Sequence, residues 1–295
     1  MIYSSDYVIT YKFDKESHSP SEIFSRMAEL TDGFCTLDAL FIKTLNEEMR
    51  SNSVLTGLEY SSIRAYIVNT LKGIDNKDIA NLDWKTIIGK SLVKLKLAVI
   101  RFLDNEKPAT NSDLIELQSE ILEIEKATGL KEIAAYKSMC LNQLAGGLVT
   151  INSASMQISN EEQIIITTDN GDSRLSTRMV ITEERRIEIL TQSTEPFRDK
   201  AVVLVKKPDY LGNSMWDVIY RGRRELMKMG DLDFLMKFHD NHPDAAVRPG
   251  DSLDVDLDGV HSLGASGEVI HKRYMIRKVS KVLKNKDLQN KIFDV

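Results

Sequence analysis

The residues of this chain best suited to chemistry lie in the segment HDNHPD, His239 to Asp244. Imidazoles three positions apart on a helix share a face and can converge on one cation, and Asp240 or Asp244 would add an oxygen ligand. Zinc or a related divalent ion takes such a nitrogen–oxygen set, and water polarised there would make a hydrolase or nuclease. Three features oppose that chemistry. Pro243 ends the helix directly after the second imidazole. The Glu that zinc proteases carry after the first His is missing, and the spacing fixes no third ligand. A divalent metal on His239, His242, Asp240 and Asp244 is therefore the alternative, and the leading expectation is a protein with no cofactor and no catalytic residue.

Other reactive patterns are weaker still. DVDLDG, from Asp254, opens like a calcium loop, but Ala265 stands where the bidentate Glu belongs and His261 occupies the eighth position. The alternation of Val255 and Leu257 fits a strand instead. The Gly-rich stretches at Gly171 and Gly264 have no helix and lysine behind them to cradle phosphate. No nucleophile elbow is present, and Cys35 and Cys140 sit among apolar neighbours as core residues. Nothing in the spacing of Asp217, Asp231 and Asp251 selects them for two-metal work.

Basic and aromatic residues form a more coherent set. Lys206, Lys207, Arg221, Arg223, Arg224, Lys272 and Arg273 fall close to Tyr210, Trp216, Tyr220 and Tyr274. Bases with aromatics on a small barrel hold single-stranded nucleic acid by phosphate contact and stacking. Interleaved acids, Asp209, Asp217 and Asp251, reduce that field. The candidate binding residues are Lys206, Lys207, Arg221, Arg223, Arg224, Tyr210, Lys272 and Arg273.

These residues need a scaffold, and the pattern from Lys200 onward supplies one. Strand AVVLV, loop KKPDYLGN, strand MWDVIY, turn RGR and strand ELMKM are followed by a short helix capped by Asp231. RPGD then turns into SLDVDL, and a Gly-rich loop from Gly259 leads to VIHKRYMIRKVSKVL. Five short strands hide their edges best by closing, so residues 193–284 should form a small β-barrel or curled antiparallel sheet with one short helix. Its expected core includes Trp216, Ile219, Val255, Leu257, Tyr274 and Ile276. Residues 285–295 form an amphipathic tail with Leu288, Ile292 and Phe293.

The preceding residues, 1–160, read as an α+β domain. Tyr7 to Phe13 alternates as a strand, and Ser19-Pro20 with Glu22 opens a helix carrying Ile23, Phe24, Met27, Leu30, Phe34, Leu37 and Phe41 at helical spacing. Ser53–Leu71 suggests strands about a turn at Tyr60-Ser61, its second half also fitting a helix. Trp84–Leu103 is a clear helix, with Lys90, Lys94 and Arg101 on one side. Asn111 or Ser112 caps the next, which stops at Gly129. The uncharged segment 138–160 reads as a buried helix whose Gly146-Gly147 suits a close neighbour. Residues 161–192 are expected to connect the two domains, with a hairpin at Asn170-Gly171 and a short helix capped by Thr182. Polar residues 192–196 are the linker candidate.

Totals set the outer limits. A chain of 295 residues with net charge −5 is long enough for two domains and too acidic overall for a general nucleic-acid binder. From Glu195 onward 18 Lys and Arg face 16 Asp and Glu, so the acidity lies in the first part. Two cysteines without metal or disulfide spacing indicate a reducing compartment. The N-terminus lacks a signal-peptide pattern, and no segment is apolar enough for a confident span, so the protein is expected to be cytoplasmic and off the membrane. The motifs VLTGLEYSSIRA, LDWKTIIGKSLVK, PDYLGNSMW and RPGDSL, with Phe238-His239, resemble those of a group of uncharacterised bacterial proteins of similar length. That resemblance implies a bacterial or mobile-element origin and a two-part design, and carries no activity. Together these features point to a non-catalytic binding or adaptor subunit. Its partners would be a protein, a second copy of the chain through the Ile23–Leu45 helix, or single-stranded nucleic acid.

Overall fold

The computed structural model describes residues 6–13, 19–45, 49–59, 63–72, 84–128, 139–156, 162–175, 178–210 and 215–285. The fold is α+β and divides into two compact units, Met1–Leu190 and Thr191–Val295. Among the described residues no helix is long and apolar enough to cross a membrane.

In the first unit an antiparallel sheet runs in the order β2-β3-β1-β4-β5, from β1 (Tyr7–Lys12), β2 (Arg50–Glu59), β3 (Ile63–Lys72), β4 (Gln163–Thr168) and β5 (Gly171–Leu175). Alternate side chains Tyr7, Ile9 and Tyr11 of β1, with Ile63, Ala65 and Ile67 of β3 and Ile164 and Ile166 of β4, are buried. The helix α1 (Pro20–Leu45) covers that face, Phe34 meeting Tyr7 edge-on at 6.5 Å. Ser19 accepts the Glu22 amide at its start. Phe24 is the member of the expected apolar stripe that stays exposed.

Helices α2 (Trp84–Leu103), α3 (Asn111–Lys126) and α4 (Leu141–Met156) follow, then α5 (Glu183–Leu190). Thr110, one residue earlier than expected, is the α3 cap, in a reciprocal box with Asp113. A Cβ on Gly147 would lie 2.3 Å from Leu37, and one on Gly33 would lie 2.6 Å from Ile151, so glycine on both α1 and α4 permits their close approach. Lys90 and Lys94 are solvent-exposed, and Arg101 pairs with Glu120 on α3. The basic row is thus a solvated face.

The hairpin expected to connect the domains is part of the first sheet: β4 pairs with β1 over five residues, Val8↔Thr167 to Lys12↔Gln163. Its two loop residues are Asp169 and Asn170, and Gly171 (φ 104) opens β5. The linker candidate at 192–196 is overturned as well. Ser193 begins β6 (Ser193–Lys207), a strand paired with β9 from Ser193 to Leu204. Its first half is polar because most of it faces solvent, which conceals a strand from a search for apolar alternation. The turn at Tyr60-Ser61, the stop at Gly129 and the tail beyond Asn285 lie outside the described residues.

The second unit is a closed barrel of β6, β7 (Met215–Tyr220), β8 (Arg223–Met229), β9 (Ser252–Leu263) and β10 (Val269–Leu283), in the order β10-β8-β7-β6-β9. The β8–β10 pair is parallel and the other pairs are antiparallel. Helix α6 (Leu232–His239) lies between β8 and β9 in the chain. It corks one end of the barrel, with Phe238 and Phe234 against Trp216 at ring separations of 5.0 and 6.4 Å. Asp231 fixes the cork twice, accepting the Phe234 amide at 3.0 Å and the β10 amide of Val279 at 2.9 Å. Trp216, Val255, Leu257, Tyr274 and Ile276 are core residues as expected, but Ile219 is not. Trp216, Val218 and Tyr220 alternate inward, which turns Ile219 outward.

Candidate ligand site at the barrel mouth

The interior-facing register of the barrel does not stop where its apolar core ends. Along β6 the series Val205, Val203, Ala201 continues to Asp199 and Phe197. On β9 it passes from Leu257 to Gly259 and His261, on β8 from Met227 to Glu225 and Arg223, and on β10 from Tyr274 to Lys272. The later members of each series reach the end opposite α6, because β6, β8 and β10 begin there and β7 and β9 finish there. Of these, Phe197, Asp199, Arg223, Glu225, His261, Lys272 and Tyr274 line a cavity of about 440 Å³, joined by Arg198, Tyr220 and Arg221.

Rings form its wall. Phe197 lies over His261, centroids 4.5 Å apart and planes 34° apart, and meets Tyr274 edge-on at 5.6 Å. Tyr274 in turn meets Tyr220 at 5.5 Å. Gly259 makes room for this ladder. It pairs with Phe197 on one side and Tyr274 on the other, and a Cβ there would stand 1.9 Å from Phe197 Cε1. The aromatic ring covers the strand where the glycine has no side chain.

Charged groups at the mouth divide into committed and uncommitted. The Tyr220 hydroxyl donates to Asp199, and Arg221 donates to the same oxygen at 2.8 Å. Burial, then that bond to a carboxylate, pushes the Tyr220 phenol up to about 12. The Tyr220 hydroxyl holds Asp199 below the ordinary carboxylate range, with Arg221 adding to the effect. Arg198 lies 3.5 Å from Asp258. Arg223 and Lys272 remain exposed with no ion pair among the described residues. The β7–β8 turn that presents Arg221 and Arg223 has two left-handed residues, Arg221 (φ 50) and Gly222 (φ 77), the geometry that matches strand twist in a two-residue hairpin.

Of the candidates read from sequence, Arg221, Arg223 and Lys272 meet here. The others do not. Lys206, Arg224 and Arg273 alternate to the outer surface, and Arg224 grips Asp217 through three contacts of 2.6 to 3.0 Å. Lys207 lies at the corked end of β6, and Tyr210 packs its ring 5.1 Å from Phe238 while its hydroxyl donates to Val247. Phe197, His261 and Glu225 were missed. The signal for Phe197 and His261 is period-two continuation of β6 and β9, which a linker at residues 192–196 and a loop from Gly259 conceal; Glu225 heads the expected strand ELMKM, and only closure of the barrel shows that it faces the mouth.

The HDNHPD segment shows different local roles. His242 caps the single 3-10 turn Pro243–Ala245, its Nδ1 accepting the Asp244 amide at 3.3 Å. Asp240 is the C-cap of α6 and His239 is exposed on the last turn. Among the described residues no three His, Cys, Asp or Glu side chains gather to hold a metal. Asp256 and Asp258 of the calcium-like motif lie on β9, where Arg277 reaches both. Burial pushes the Cys35 thiol up, and it donates to Ser53 at 3.1 Å, an environment unsuited to a nucleophile.

A five-stranded barrel with its helix between the third and fourth strands, the third and fifth strands parallel, and the first closing against the fourth has the topology of oligonucleotide- and oligosaccharide-binding barrels. That defines an architecture, and function rests with the site. Comparisons with family models, curated proteins and solved structures returned no match for this chain.

Proposed function

We propose that this protein is a non-catalytic binding subunit whose C-terminal barrel holds single-stranded nucleic acid at its mouth. The observation that carries this reading is the Phe197–His261 ring stack, half-exposed beside the unpaired cations Arg223 and Lys272. A base has a flat face for the stack, and its flanking phosphates suit the cations. Around the cavity bases outnumber acids four to two, so the local field is positive although the whole chain carries −5. A cavity of about 440 Å³ falls within the range of ordinary ligand pockets.

Fluorescence anisotropy with a labelled mixed-sequence nonamer tests the reading. Two phosphate contacts to a single strand give a log–log salt slope of about −1.4. Arg223→Glu with Lys272→Glu should abolish binding. Affinity unaltered by the double change would remove the proposal.

A further inference from the structure

Resting on that reading, we infer that Glu225 selects the base that enters the mouth, and that the base is guanine. Glu225 lies on the interior register of β8, one step above the fully buried Met227 and opposite Val218. It is half-buried and lines the cavity, and its carboxylate has neither a hydrogen bond nor an ion pair among the described residues. Its neighbour in the cavity, Asp199, differs sharply, for the Tyr220 and Arg221 donors already engage it. One acceptor-only group therefore faces the space beside the ring stack with its lone pairs unspent.

A ligand that donates to this unengaged carboxylate gains charge-assisted hydrogen bonds. The four bases differ in what they offer. Guanine presents N1–H and N2–H side by side, two parallel donors that match the two carboxylate oxygens. Cytosine and adenine each place one amino donor next to a ring-nitrogen acceptor, which a carboxylate repels. Thymine sets its single N3–H between two carbonyl oxygens. Guanine alone makes the bidentate contact without an opposing lone pair. Arg223 and Lys272 then serve the flanking phosphates, and Phe197 the base plane.

The test uses the full chain and four dT nonamers whose central residue is dG, dA, dC or unchanged, each titrated by anisotropy at one salt concentration. The dG strand should bind about tenfold more tightly than the other three. Glu225→Gln preserves shape but replaces two acceptors with one acceptor and one donor, so the dG advantage should vanish and the dA strand should gain. Circular dichroism melting confirms that the variant folds. Equal binding of the four strands by the native protein, or a dG preference that survives Glu225→Gln, overturns this inference and leaves nucleic-acid binding intact. Failure of every strand to bind overturns both.

Discussion

Replacing Gly259 by alanine probes the mouth by displacing the Phe197 ring while leaving every side chain proposed to contact ligand chemically unchanged. The added methyl would stand 1.9, 2.4 and 2.7 Å from Cε1, Cζ and Cδ1 of Phe197. Carbon atoms settle at about 3.5–4.0 Å, so the ring must withdraw by roughly 1.5 Å or more. Its open direction is toward solvent, away from the His261 ring now 4.5 Å from it. Overpacking of this kind costs about 1–3 kcal/mol where a core cannot yield. Here the ring is half-exposed and the core around Trp216 lies at the other end, so the barrel should fold and stability should fall by the lower part of that range. Binding should suffer more. Loss of one base–aromatic stack is worth about 1–3 kcal/mol, a weakening of about 5-fold to 150-fold. Anisotropy measures the loss and thermal melting checks the fold. Phe197→Ala should weaken binding to a similar degree, and the double variant little further, since both remove one stack. A folded Gly259→Ala protein that binds as tightly as the native chain would refute the stacking geometry.

Two further predictions concern what holds the scaffold together. Lys96 donates to both oxygens of Asp38 at 2.5 and 2.6 Å, its ammonium lies 4.5 Å from the Tyr7 ring, and both side chains are 1% exposed. Lys96→Met alone should cost about 3–5 kcal/mol in urea denaturation by stranding the carboxylate, whereas Asp38→Leu with Lys96→Met should recover most of it; equal stability of single and double variants would disprove the desolvated pair. In the barrel, three carboxylates are held below their ordinary range. Asp199 is lowered by Tyr220, Asp217 by Arg224, and Asp251 by the Asn285 and Arg248 amides with Lys284, which outweigh its burial. Groups with lowered folded values stabilise above the unfolded value of about 3.9 and lose that contribution as pH falls through the folded one. Tyr220, raised to about 12, has the opposite sign: its contribution is whole below the unfolded value of about 10 and is lost as pH climbs toward 12. Barrel stability should fall at both extremes, and Tyr220→Phe should blunt the alkaline loss; an unchanged alkaline limb would contradict the assignment.

Legibility followed burial. The α1 cap at Ser19, the α6 cap at Asp231, the strand MWDVIY and the turn RGR stand where local chemistry puts them, because each depends on residues a few positions apart. The uncharged helix α4 is legible in part: Leu144, Leu148 and Ile151 are buried as expected of a core helix, whereas Gln143, Thr150, Ser153 and Met156 form an exposed face that carries no charge to mark it. Polar strand ends were not. Ser193 to Pro196 carries no apolar alternation and pairs on the β9 side, an edge position that tolerates the missing Pro196 amide hydrogen. Gly259 resembles a loop residue until Phe197 is known to cover it.

Taken alone, the amino-acid order determined the two-part α+β design, most helices, the five-strand count of the barrel and the basic-aromatic character of its residues, because periodicity and capping act over one or two turns of chain. Only the closed barrel decided which charges face inward and which face out. A shift of one position in a strand moves a side chain to the opposite surface, so Arg223 and Lys272 reach the mouth while Arg224 and Arg273 lie outside it. Register between distant strands is set by pairing across the whole unit, and no local pattern contains it.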